Sequence, residues 1–378
     1  MKDLPMIPTD DSLFGSVSKS RLDSGQVLDF SIPLNPLGPS KRVERKVVKG
    51  LSAAFRHADA LGAELIRTLA QFHGLSEEEI LLGAGATEFI HGIPRALSFR
   101  RVLMVTPIFR EYERALEQTV CAPKVRIDYF EAREEDGFEV DVNGLISSLT
   151  LGYDALYLSN PGFPTGILTS QEDLLRVLAQ TESQRTWFIL DETSLDFVEE
   201  QSLKRRIRSS SHFLILRTFS NFFSIPGMRV GCLLGNREAI QKCRTVLPPR
   251  TVNTLGQIAA LESLQDQTHI RRTQEWMPKE RERLAQALRA IPGFVPYPGT
   301  ANFLLVQLLP FLGIDGGELR ELLLRQKILV DDCRSYLSLA PYFVFIAMRT
   351  RRENNLLIKA LRQIVENLPV SLNPSQTS

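Results

Sequence analysis

Residues 217–235 read RTFSNFFSIPGMRVGCLLG. Thr218 and Ser220 offer hydroxyls and Arg229 a guanidinium, a set suited to one phosphate-like anion. Asn221 stands among them, a neutral amide that is neither basic nor nucleophilic at pH 7. In GAGATE (83–88), the amides of Gly85, Ala86 and Thr87 open a helix and would also suit a phosphate. The third glycine of a dinucleotide fingerprint is absent there, and a plain helix start is the simpler reading. In TPIFREY (106–112), Phe109 follows a strand end, where it could stack on a planar ring or pack in the core. In DET (191–193), Asp191 ends an apolar run, and a buried carboxylate there needs a cation or hydrogen-bond donors.

Taken together these groups supply an anion cup, a stacking ring and an acid able to pair with a heterocyclic nitrogen. Pyridoxal phosphate, a planar pyridine bearing a phosphate, needs that combination.

The elements that must position them are legible. RVLMVTP (101–107), DALYLSN (154–160), TWFILDE (186–192), HFLILRT (212–218) and RVGCLLG (229–235) are continuous apolar runs. Strands buried on both faces read this way, as in a parallel sheet between helix layers. Segment 170–182 has helical period, with Ser170 as N-cap. Ligands in such α/β sheets sit outside the carboxyl ends of the strands. From about 246 the pattern becomes helix, strand, helix, strand, helix, with a long charged helix over 267–290. Pro248 and Pro249 in LPPRTVN mark the junction, since neither continues a helix. The division expected is an N-terminal arm (1–40), a large α/β domain (41–246) and a smaller α+β domain (247–378). The arm reads as extended chain rather than core, and the polar tail SLNPSQTS as frayed.

The chain has 378 residues, 43% hydrophobic and 24% charged, with net charge +1. That balance points away from nucleic acid and anionic membranes as partners. The start, MKDLPMIPTDDS, lacks the apolar core of a signal peptide, and no apolar run approaches the ~20 residues that span a bilayer. Cys121, Cys232, Cys243 and Cys333 lie far apart, with no CxxC pair, so neither a zinc site nor a disulfide framework is indicated. A reduced, cytoplasmic setting is expected. The basic stretch LKRRIRSSS (203–211) lacks interleaved aromatics and reads as a solvated loop leading into a strand.

The segments LDFSIPLNPLG, ILLGAGATE, VTPIFREYERAL, NPGFPTG, ILDETSLDF, YPGTANFLL and IAMRTRRENNLL occur in this order, with the 217–235 stretch among them. In that order they resemble the fold-type I pyridoxal-phosphate enzymes, class I/II aminotransferases. Within these the chain is most similar to the threonine-phosphate decarboxylases and histidinol-phosphate aminotransferases, from about 27 to 365. The resemblance implies that Gly85, Ala86 and Thr87 hold the cofactor phosphate, with Thr218, Ser220 and Arg229 completing the cup. It implies that Phe109 stacks on the pyridine, Asp191 pairs with the ring nitrogen, and Arg349 grips a substrate carboxylate as a bidentate fork.

The chain departs from the family pattern at four places. The Schiff-base lysine falls at Asn221, in a register set by the preceding hydroxyl residue and by the arginine eight positions later. The asparagine that hydrogen-bonds the cofactor's phenolic oxygen falls at Phe163. The tyrosine or phenylalanine of the DEAY/DEAF motif falls at Ser194. The neighbouring-subunit tyrosine that reaches the phosphate falls at His57. Losing a positioned general base costs ~10²–10⁴-fold in rate, and Lys204 and Lys242, outside the motif, read as surface charges.

Two classes of function follow. In one the protein remains an enzyme, using pyridoxal or pyridoxamine phosphate bound non-covalently, with His57 or a group of a partner subunit moving the proton. In the other it is a non-catalytic binder of the cofactor, of a small amino acid or phosphorylated amino acid, or of a paralogous subunit. A homodimer is the expected assembly, with a heterodimer as the alternative. A purely structural relic is the third and weakest reading.

Overall fold

The computed structural model describes residues 27–55, 62–119 and 124–368. The strands run in chain order β1 (Leu28–Asp29), β2 (Ile80–Gly83), β3 (Arg101–Thr106), β4 (Arg126–Glu131), β5 (Ala155–Ser159) and β6 (Trp187–Asp191). They continue with β7 (Phe213–Thr218), β8 (Gly231–Gly235), β9 (Phe294–Pro296), β10 (Phe303–Leu308), β11 (Ile328–Leu329) and β12 (Phe343–Ala347).

Each of the five apolar runs forms a strand of one seven-stranded sheet, in the order β2-β8-β7-β6-β5-β3-β4. The strands from β4 to β7 pair in parallel, whereas β8 is antiparallel to both β7 and β2. Every residue of β6, β7 and β8 is buried, which is why these runs show no alternation. Successive side chains feed opposite cores. Phe188, Leu190 and Ile215 join one cluster with Leu145 and Leu174. Ile189, Leu214 and Leu216 join another with Phe89, Ile90 and Ala239. This is the fold-type I arrangement of a mixed, mostly parallel sheet between helix layers.

Ser170 accepts from the Asp173 amide and starts the helix Gln171–Gln184 as its N-cap. The helix Arg237–Val246 stops just before Pro248 and Pro249. The long charged helix spans Gln267–Arg289 and packs against the three-stranded antiparallel sheet β12-β10-β9 and the last helix, Arg351–Asn367.

Two expectations need correction. The N-terminal segment is partly core: β1 pairs in parallel with β11, and Phe30 is fully buried. Asn35 ties it down further, its side-chain amide donating to the Phe222 carbonyl at 2.8 Å and to Thr273 Oγ1 at 3.0 Å. Short polar punctuation in SIPLNPLGPS hid this, because the anchoring contacts are to residues far along the chain. Lys204 is not a surface charge. It pairs with Glu199, which also takes Arg217 at 2.8 Å. Arg217 projects from fully buried β7 and draws in Glu192 at 3.2 Å and Asp196 at 3.5 Å. A buried guanidinium needs such partners, and Lys204 balances part of the acid it recruits.

Candidate functional site

A cavity of about 500 Å³ opens at the carboxyl ends of β6 and β7. Its wall includes Ala86, Thr87, Phe109, Phe163, Asp191, Ser194, Thr218, Ser220, Asn221 and Arg229. Residues separated by more than a hundred positions are thus brought to one place. Ile32, Pro33 and Leu34 of the N-terminal segment complete part of the same wall.

One region of the cavity is shaped for an anion. The helix Ala86–Leu97 begins there, after Gly85 at φ +84°. A β-carbon added to Gly85 would lie 2.8 Å from Nη2 of Arg229, so this guanidinium fills the space a side chain would take. Arg229 itself has φ +53°, an uncommon conformation for a non-glycine residue that costs roughly 1–2 kcal/mol. It holds the guanidinium over the helix start, where Nη2 donates to the Ala84 carbonyl at 3.2 Å and to Thr87 Oγ1 at 3.4 Å. Thr218 Oγ1 donates to Ser220 Oγ at 3.1 Å, placing both hydroxyls together.

Asp191 ends β6 and is 7% exposed. The Tyr112 hydroxyl donates to its Oδ2 at 2.7 Å and the Thr193 amide to its Oδ1 at 2.8 Å. Burial pushes the Asp191 carboxyl above the usual carboxylate range, while the Thr193 and Tyr112 hydrogen bonds pull it back. Both donors are neutral, so the acid faces the cavity without a cationic partner of its own.

Phe109 and Phe163 meet edge to face at 5.9 Å. Phe109 also packs against the sheet core, so the stacking and packing roles are compatible. Behind Phe163 stand Phe303 at 5.3 Å, Phe345 at 5.5 Å and Tyr336 at 5.8 Å. The Asn221 carbonyl accepts from the Asn35 backbone amide at 2.9 Å, which fixes the backbone of a residue that lines the cavity. Ser194 is buried on the same wall.

Arg349 is not among the lining residues. Its Nη2 donates to Glu353 Oε1 at 3.0 Å. Thr350 caps the helix Arg351–Asn367 in a capping box with Glu353, so the acid that completes the cap also captures the guanidinium one residue upstream. Glu353 takes only part of the guanidinium, since Arg349 Nε is buried without a hydrogen-bond partner. His57 lies outside the described residues.

Glu111 was missed in the sequence. It lines the cavity two residues after Phe109, and its Oε1 lies 2.6 Å from His91 Nε2. The REY of TPIFREY was the available signal, but its partner His91 lies twenty positions earlier on another helix. Among the described residues no His, Cys, Asp and Glu group could hold a metal ion, and no helix is long and apolar enough to cross a membrane.

The donor set fits a phosphorylated pyridine on two observations. A β-carbon at Gly85 would fill the anion cradle. The buried Asp191 carboxylate, held by neutral donors only, suits a protonated ring nitrogen.

Residues 56–361 match the family model of aminotransferase class I and II. The chain is 33% identical over 345 residues to the threonine-phosphate decarboxylase of Salmonella typhimurium, covering 91% of this chain and 92% of that protein. It is similar in structure to the histidinol-phosphate aminotransferase of Clostridium acetobutylicum. The TM-score is 0.84 at 27% identity, over 90% of this chain and 100% of that one. The histidinol-phosphate aminotransferase of Sinorhizobium meliloti, solved in complex with pyridoxal-5'-phosphate, shares the fold. There the TM-score is 0.81 at 20% identity, over 97% of this chain and 99% of that one.

Proposed function

This chain belongs to the class I and II aminotransferase family, and on that premise we propose that its cavity binds pyridoxal or pyridoxamine 5'-phosphate without a covalent tether. Asn221 occupies the place of the family's lysine, so lysine-dependent transamination or decarboxylation is lost or has diverged. The observation that carries the reading is the sharing of one cavity by Asp191 and Arg229. One acts on a ring nitrogen and the other on a phosphate.

When bound, the cofactor supplies a protonated heterocycle that withdraws electrons from the reacting carbon. The chain's own residues would do the rest. Gly85, Ala86, Thr87, Thr218, Ser220 and Arg229 orient the phosphate, and Phe109 and Asp191 orient the ring. Glu111 lines the cavity with its Oε1 2.6 Å from His91 Nε2 and its Oε2 3.5 Å from Arg114 Nη1, which fixes the carboxylate at the wall. The Phe163 wall excludes water from the far side.

The test is retention of pyridoxal phosphate by purified protein after desalting, read from its absorbance and repeated with pyridoxamine phosphate. Retention that Arg229→Gln abolishes supports the reading, and no retention of either form overturns it. Consumption of an oxo acid by the pyridoxamine form separates an enzyme from a non-catalytic binder. A phosphorylated amino acid is the alternative occupant of the anion cup.

The assembly proposed is a homodimer. Val48, Leu51 and Phe55, 66%, 50% and 91% exposed, present apolar surface along one short segment that a second copy would cover. A monomeric mass by light scattering would overturn this, and a stable mass only with a paralogue present would favour a heterodimer.

A further inference from the structure

The pairing of β6 with β7 ends at Asp191 and Leu216, after which the Glu192 amide donates to the Leu216 carbonyl at 3.1 Å. Past that point side chains join the two segments. Glu192 Oε2 lies 3.2 Å from Arg217 Nε, and both residues are buried. Neither lines the cavity, whereas their neighbours Asp191, Thr193 and Thr218 do, as alternation along a strand requires. Each partner is also held from its other side. Glu192 accepts from Ser202 Oγ at 2.6 Å and from the Leu203 amide at 3.0 Å. Arg217 Nη1 donates to Glu199 Oε2 at 2.8 Å.

We propose that Glu192 and Arg217 are positioning residues. Their ion pair spaces Asp191 from Thr218 and Ser220, and so matches the cavity to the distance between the ring nitrogen and the phosphate of a bound cofactor. The inference rests on the cofactor reading above. A ligand gripped at two points gains over its separate halves only while both grips fit at once. Misplacing one grip by about 1 Å can cost on the order of a hundredfold. Glu192 and Arg217 each adjoin a lining residue through one planar peptide bond, so a shift of the pair reaches both grips. The pair is buried, so loss of one charge leaves the other uncompensated and the two strand ends free to part.

The experiment is equilibrium dialysis of pyridoxal phosphate against the full chain, with inorganic phosphate and pyridoxal as competitors that each occupy one grip. Glu192→Gln keeps the size of the side chain and removes its charge. It is expected to weaken pyridoxal phosphate binding about tenfold. The inhibition constants of inorganic phosphate and pyridoxal should stay within about twofold of wild type, since each needs only one grip. Parallel loss of all three ligands overturns the inference, because the pair would then only support the fold. Unchanged pyridoxal phosphate affinity overturns it as well. Ser202→Ala removes one bond to Glu192 and leaves both charges in place. It is expected to weaken pyridoxal phosphate about threefold with the same selectivity. If Glu192→Gln fails to fold, Ser202→Ala decides by the same criteria. Failure of either competitor to displace pyridoxal phosphate from the wild type also overturns the inference, since there would be no two grips to space. Absence of pyridoxal phosphate binding by the wild type removes the cofactor reading and this inference with it. Wild-type binding without a selective loss in the variants removes this inference alone.

Discussion

The Tyr112 hydroxyl lies 2.7 Å from Oδ2 of Asp191 and donates to it from the helix Glu111–Glu117. The carboxylate is thus held ionisable by a neutral donor, in surroundings that disfavour its charge. Tyr112→Phe removes that bond and leaves a buried acceptor short of one partner, a cost of about 1–3 kcal/mol. Two effects are expected together: a lower urea midpoint, and pyridoxal phosphate affinity weakened roughly tenfold at pH 7 in equilibrium dialysis. Unchanged affinity would mean that Asp191 does not serve the ring nitrogen.

Arg229 is the cation of the anion cup, and a charge-assisted hydrogen bond contributes about 1.5–3 kcal/mol. Arg229→Gln should weaken pyridoxal phosphate binding by roughly tenfold to a hundredfold. Binding of pyridoxal, which lacks the phosphate, should change little. Equal losses for both ligands would point to collapse of the cavity instead.

Asn221 lines the cavity and has its backbone fixed by Asn35. Asn221→Lys should place an amine within reach of the bound aldehyde. Borohydride treatment of the loaded variant is then expected to fix one cofactor per chain, located by peptide mass at position 221. The wild type treated identically should show none there.

The buried ion cluster around Arg217 makes a pH prediction with two opposing signs. Burial, with Arg217 and Lys204 adding to it, lowers the His73 pKa from 6.5 to about 3. Stability from neutral His73 is complete above pH 6.5 and is lost as the pH falls toward 3. Burial raises Asp196 from 3.8 to about 7, against the pull of Arg217. Its contribution is complete below pH 3.8 and is lost as the pH rises through 7. Between pH 4 and 6.5 the two slopes oppose each other. Asp196→Asn should remove one of them, so wild type should gain stability relative to the variant as the pH falls from 7 to 4. Urea unfolding at closely spaced pH values measures that difference curve, and a flat curve would rule out the Asp196 contribution.

Much of the scaffold was legible because its strands are buried on both faces. HFLILRT and TWFILDE could be read as central strands from composition alone, and their ends then locate Thr218 and Asp191. The antiparallel pairing of β8 was not legible, since a five-residue apolar run carries no direction. Spacing within single turns was informative as well, and the 218–229 stretch places two hydroxyls and a guanidinium on the same cavity. Contacts between distant segments were the blind spot. Nothing near Arg349 in sequence, apart from an ordinary helix cap, signalled that Glu353 would hold it. Nothing near Phe163 signalled Phe303, Tyr336 and Phe345 as neighbours, because they come from strands and loops that only the fold assembles. Glu111 needed His91 beside it before it stood out from a charged helix start.

Asn35 joins the chain's beginning to residues 187 and 238 positions later, at Phe222 and Thr273. Links of such long sequence separation form late in folding, after the local elements are in place. The nascent chain must therefore finish its central sheet and its long charged helix before Ile32, Pro33 and Leu34 can settle. A chain leaving the ribosome would carry its first wall segment unengaged until most of the rest had been made, and ligand capture would follow completion of synthesis.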